Sequence, residues 1–186
     1  MNTDIKRSTL LALIPALFLV LVILLLPIQY MMNDDYCIVA DIQEGYEPSF
    51  FSVALGSGLS RLYRISDIPW YALFLYAVQL VSFIAISHAI YHLTIKKCKT
   101  WYLVCIWLFF AFASLFFVTR LTFTTTAFIA GFAGAITFTR NPDRLSVHRA
   151  SLGGFLFALA WLIRSHSLLV NTGEKFPVFT GFRFPV

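Results

Sequence analysis

Apolar residues in this chain fall into long unbroken blocks separated by short polar stretches, rather than into stripes at helical or strand spacing. The blocks predict helices over 10–32, 68–93, 100–118, 121–138 and 150–169. At roughly 1.5 Å per residue, each is long enough to cross a hydrocarbon core of about 30 Å, the block at 121–138 only just. Pro15 and Pro27 lie inside the first block, as membrane helices allow. Pro69 opens the second, at a first-turn position where its missing N–H costs nothing. The expected fold is therefore all-α: a polytopic transmembrane bundle of about five spanning helices.

Composition agrees with the pattern. Hydrophobic residues make up 59% of the chain and charged residues 12%, against about 25% charged in ordinary globular chains. Mean hydropathy is +0.79. The net charge of +5 accordingly reads as topology and contact with membrane lipids, with no nucleic-acid partner implied. Lys6-Arg7 before an apolar block resembles a signal peptide. The block is too long for a signal core and no small-x-small site follows, so it reads as a retained first helix.

With alternating helices and a cytoplasmic N-terminus, Lys6, Arg7, Lys96, Lys97, Lys99, Arg140, Arg144 and Arg149 all fall inside. Arg61, Arg64, Arg120 and Arg164 fall outside, so the basic residues before position 171 favour this orientation eight to four. Were 49–65 also to span, Lys6, Arg7, Arg61, Arg64, Arg120 and Arg164 would face six basic residues opposite, and the bias would vanish. The segment 33–67 therefore reads as an external loop carrying an interfacial helix, with Phe51, Leu55, Leu59 and Leu62 on one face. The final stretch, 171–186, has no amphipathic period and two prolines; it reads as an unstructured tail.

Small residues at four-residue spacing, Ala127, Gly131 and Ala135 and separately Ala130 and Gly134, predict close backbone packing of the fourth helix. Its threonines, Thr122, Thr124, Thr125 and Thr126, either bond a ligand or bond back to their own helix.

Chemistry concentrates at the outer boundary of the first helix, in Asn33-Asp34-Asp35-Tyr36. Adjacent carboxylates repel, so one pKa rises toward a general-base range if the site is partly desolvated. The alternative is a solvated acidic loop. Arg61, Arg64, Arg120 and Arg164 on the same side have the planar fork that pairs with phosphate. Arg164, read as interrupting the end of the fifth helix, needs an anion, either an acidic side chain or a ligand phosphate, or it snorkels to headgroups. His88 and His92 share a helical face, but no matching pair stands on another helix and they read as interfacial. Cys37, Cys98 and Cys105 form no framework. Gly56-Ser57-Gly58 lacks a preceding strand and a P-loop lysine. No metal site and no cofactor are expected.

The order of these features is more specific than any one of them. Asn33-Asp34-Asp35-Tyr36 follows the first helix at once, then come Arg61-Leu62-Tyr63-Arg64 and Ile68-Pro69-Trp70-Tyr71. Further on stand Arg120-Leu121-Thr122-Phe123-Thr124-Thr125-Thr126-Ala127 and Ile163-Arg164. Over residues 1–170 this resembles the N-terminal part of bacterial polytopic glycosyltransferases of the GT-C type. The resemblance implies an inner-membrane protein that moves a sugar from a polyprenyl-phosphate donor to a cell-envelope glycan acceptor. It implies Asp34 or Asp35 as catalytic base or substrate anchor. By charge and position, Arg61, Arg64, Arg120 and Arg164 are candidates for holding the lipid phosphate.

Members of that family usually carry many more spanning helices, so the chain reads as a truncated or frame-shifted copy that keeps the acidic loop and lacks the rest of the donor and acceptor sites, which puts its activity in question. The alternative is a non-enzymatic accessory subunit of an envelope glycan assembly or transport system, packing on a membrane partner through the fourth helix. A channel or transporter is disfavoured, because no helix carries a charge at mid-membrane.

Overall fold

The computed structural model describes residues 13, 16–25, 30, 33–46, 48, 51–94, 100–139 and 146–164. These form seven helices: α1 (Ala16–Leu25), α2 (Asn33–Glu44), α3 (Val53–Tyr63), α4 (Trp70–Thr94), α5 (Thr100–Thr119), α6 (Phe123–Thr139) and α7 (Val147–Ile163). The described residues contain no strand; Tyr30 and Leu121 make an isolated bridge. One described helix, over Trp70–His92 in α4, is long and apolar enough to cross a membrane. The ends of the predicted 10–32 helix, the predicted tail, the basic residues Lys6, Arg7, Lys96, Lys97, Lys99, Arg140 and Arg144, and Cys98 lie outside the described residues.

One sequence expectation is corrected. The segment 33–67, read as a loop with one surface helix, contains two helices, because its first part is itself amphipathic. Asp35, Ile38 and Ile42 of α2 are buried, at helical spacing, while Tyr36, Cys37, Ala40 and Gln43 are exposed. Asp34 and Asp35 occupy its first turn, where carboxylates are favoured by the positive end of the helix dipole. Its end is a Schellman turn: Tyr46 N–H donates to Asp41 O (2.8 Å) and Gly45 N–H to Ile42 O (3.3 Å), with Gly45 at φ 85°.

Arg164 ends α7 as the sequence suggests: it is the cap after Ile163, with φ −137° and ψ 56°, and its N–H donates to Ala160 O. Positions 165–169 of the predicted 150–169 helix lie outside the described residues.

The core sits around α4 and α6. Ala130 and Ala133 are fully buried, and the tightest approach is between α6 and α7. A Cβ built on Gly134 would come within 3.0 Å of Gly153 O and of the Phe157 ring. One on Gly153 would meet the Phe138 ring at 2.8 Å. The small-residue face of α6 is thus used inside the chain, against α7. Between α4 and α6, the buried Gln79 donates from Nε2 to Thr126 Oγ1 at 2.9 Å. Tyr76 on α4 donates to Val118 O near the end of α5 (3.2 Å). The α3 helix joins α7 through Ser52 N–H to Leu162 O (3.2 Å).

Candidate acidic site at the α2–α4–α6 junction

The first turn of α2 splits the two aspartates. Asp34 is half-buried, whereas Asp35 is 0% exposed. Asp35 Oδ1 accepts from the Tyr71 hydroxyl at 2.7 Å and from the Phe123 backbone N–H at 3.0 Å. Tyr71 stands in the first turn of α4 and Phe123 is the first residue of α6, so one carboxylate ties three helices together. Asp35 Oδ2 is buried without a hydrogen-bond partner among the described residues.

Local sequence explains how these donors come to point at one place. The N–H groups of a helix's first turn have no partner within the helix, and Phe123 spends its own on Asp35. Thr122 Oγ1 accepts from Thr125 N–H (3.1 Å) as the cap of α6. In α4, Tyr71 N–H donates to the Tyr63 hydroxyl (3.2 Å) and Trp70 Nε1 to Ser66 Oγ (3.1 Å). Aromatic rings enclose the site: Phe51 stands edge-on to Tyr71 at 5.7 Å, and Tyr30 lies 6.0 Å from Tyr71 and 5.3 Å from Tyr36 between centroids.

Burial pushes the Asp35 carboxyl above the ordinary aspartate range. The Tyr71 and Phe123 hydrogen bonds pull it back, and the neighbouring Asp34 charge adds to the rise. A carboxyl so held takes up and gives up a proton nearer to neutral pH than a surface aspartate does.

The four arginines are not gathered at this carboxylate. Arg61 and Arg64 line a pocket between the end of α2 and α3, with Ser57 and Ser60. Arg120 is exposed, its guanidinium 5.1 Å above the Phe116 ring. Arg164 is half-buried, 5.9 Å from the Phe123 ring centroid. It thus lies beside the residue whose N–H binds Asp35. Arg164 closes one end of an apolar groove of about 690 Å³ between α6 and α7, lined also by Thr124, Thr125, Phe128, Gly131 and Phe157.

Of the α6 threonines, Thr125 and Thr126 donate their hydroxyls to Thr122 O (3.1 and 2.8 Å), the back-bonding alternative. Thr124 and Thr125 also line the groove. His88 and His92 are both half-buried on α4. No cluster of three metal-ligating side chains occurs among the described residues.

Sequence reasoning passed over Tyr71, Gln79 and the Phe123 N–H. A signal for the first existed: Asp35 lies in register with Ile38 and Ile42, so a helix there must bury it and a donor must meet it. No protein family, curated protein or solved structure matches the chain.

Proposed function

We propose that this chain is a multi-pass membrane protein, spanning through α1 and α4–α7 with a cytoplasmic N-terminus, whose acidic junction serves glycosyl transfer of the GT-C kind. The donor is a sugar on a polyprenyl phosphate and the acceptor a hydroxyl of a cell-envelope glycan. The observation that carries the reading is the division of labour in Asp34-Asp35: one carboxylate is pinned by two hydrogen bonds, and its neighbour stays accessible.

In that chemistry Asp34 is the base, since a base must touch the hydroxyl it deprotonates. Asp35 fixes the turn that presents it. As the acceptor oxygen bonds to the anomeric carbon, its proton passes to Asp34 and the carbon–oxygen bond to phosphate breaks. The electron pair leaves with the lipid phosphate, whose charge Arg164 stabilises. The α6–α7 groove suits the isoprenoid chain, being apolar along its length and cationic at one end.

A second reading has an observation of its own. Asp35 is wholly enclosed and bridges three helices, as a purely structural carboxylate would be in a non-enzymatic membrane subunit. With the small face of α6 already covered by α7, such a subunit would meet its partner through another surface, such as the exposed Phe109 and Phe112 of α5.

The deciding experiment is a sugar-transfer assay on the purified protein with polyprenyl-phosphate donor and a lipid-linked glycan acceptor. Glycosyl transfer favours Asp34 as base if Asp34→Asn abolishes turnover and leaves thermal stability unchanged. Absence of turnover in the wild type excludes an active transferase and leaves the inactive truncated copy and the subunit reading.

A further inference from the structure

The elbow between α2 and α3 encloses a pocket of about 320 Å³ that the transfer chemistry leaves unused. Ser57, Ser60, Arg61 and Arg64 recur along α3 and its C-cap at spacings of three and four, so two serines and two arginines line the same space, the Ser57 hydroxyl donating back to Ala54 O at 3.1 Å. Like charges at this spacing destabilise a helix. Yet neither Arg61 nor Arg64 makes a side-chain hydrogen bond or an ion pair with any described residue.

Two further features shape the pocket for a ligand. Ser60 is only 8% exposed, and its hydroxyl has no hydrogen-bond partner among the described residues although it lines the pocket. Opposite it, Gly45 leaves room for Arg64: a Cβ there would come within 3.4 Å of Arg64 Nη2 and 3.8 Å of Ser60 Oγ. The pocket opens at the last turn of α2, ten residues beyond Asp35, roughly 15 Å along the helix axis. It is a site separate from the acidic junction.

We propose that this pocket binds a phosphorylated anion, a phosphate monoester or diphosphate group, between Arg61 and Arg64 with the Ser60 hydroxyl as an additional donor. Two planar forks and a hydroxyl supply more donors than one carboxylate can accept, and two positive charges match a dianion. The volume exceeds the needs of a lone carboxylate and admits a diphosphate or the first atoms of an attached ester. Phosphate in solution and the headgroup of a phosphatidic-acid-type lipid offer the same chemistry. The site requires no catalysis, so it stands or falls apart from the sugar-transfer reading.

The full chain in phosphatidylcholine nanodiscs is titrated calorimetrically with inorganic phosphate and with pyrophosphate. In parallel, native mass spectrometry compares retention of phosphatidic acid with that of phosphatidylcholine. Saturable pyrophosphate binding identifies a soluble source, and selective retention of phosphatidic acid a lipid one; either supports the site. Arg61→Gln and Arg64→Gln should each weaken the bound species roughly 10- to 100-fold, the loss of a charge-assisted hydrogen-bonding partner. Gly154→Ala, where an added Cβ meets nothing within 4 Å, should bind as the wild type does. Circular dichroism confirms that each variant keeps its helical content, and Arg64→Lys serves as a folded control that retains the charge without the fork. Binding of neither probe by the wild type, or equal binding by the folded Arg61→Gln/Arg64→Gln double variant, overturns the proposal.

Discussion

The hydroxyl of Tyr71 donates to Asp35 Oδ1 at 2.7 Å, joining the first turn of α4 to the first turn of α2 across 36 residues of chain. Both partners are fully buried, so neither group has water to fall back on. Removing the donor alone strands a carboxylate oxygen. Tyr71→Phe should lower stability by about 1–3 kcal/mol, whereas Asp35→Asn keeps an acceptor for both donors and should cost less. Thermal unfolding of the detergent-solubilised variants measures the difference. Equal losses would mean that the hydrogen bond contributes nothing beyond packing.

The raised Asp35 carboxyl carries a pH signature. Between the ordinary aspartate value near 3.8 and its higher folded value, the native state binds more protons than the unfolded chain. Stability contributed by this group is therefore fully present below pH ~3.8 and is lost as pH rises through the folded value. Asp35→Asn should flatten that part of the stability–pH curve, leaving the remainder parallel to wild type. An unchanged slope in the variant would show that other groups carry the dependence.

Helix packing gives a prediction with an internal control. Gly134→Ala places a methyl against Gly153 O and the Phe157 ring, and should destabilise by about 1–3 kcal/mol as α6 and α7 are forced apart. At Gly154 a Cβ meets nothing within 4 Å. Gly154→Ala should be neutral or stabilising by up to about 1 kcal/mol, through helix propensity. Melting temperatures in one detergent test the ordering, and a larger loss at Gly154 would contradict the packing described above.

The Gln79–Thr126 pair predicts an asymmetry. Gln79 Oε1 already lacks a partner among the described residues, so Thr126→Val leaves the buried amide unsatisfied there, at about 1–3 kcal/mol. Gln79→Leu removes that polar group, while Thr126 still donates to Thr122 O at 2.8 Å. It should be close to neutral. Stability ranked Gln79→Leu above Thr126→Val is the expected result; the reverse order would refute the account.

The proposed orientation is open to labelling from either side of a membrane. In a variant lacking Cys37, Cys98 and Cys105, a cysteine at the exposed Tyr46 should react with an impermeant maleimide from outside, and one at Lys97 should not. Labelling in the opposite sense would reverse the proposed orientation.

How much of this was legible beforehand follows from the range of each interaction. Helices over most of the apolar blocks could be read directly, because length and hydrophobicity are local properties. The small residues Ala130 and Gly134 likewise announced a close packing face on α6. The helix at Asn33–Glu44 was hidden by its polarity: its apolar face is only Ile38, Val39 and Ile42, and the eye stops at the aspartates.

The sequence by itself determined that the chain is helical, that its blocks are apolar, and that two carboxylates and four arginines stand near the block ends. Only the tertiary structure decided that Asp35 is enclosed while Asp34 remains accessible. Its donors come from residues 36 and 88 positions away, and no periodicity encodes contacts at that range. The arginines show the same limit: a spacing of three places Arg61 and Arg64 on one pocket, whereas Arg120 and Arg164 meet different surroundings. Hydropathy sets which end of a helix a charge occupies, whereas packing angles set what that charge meets.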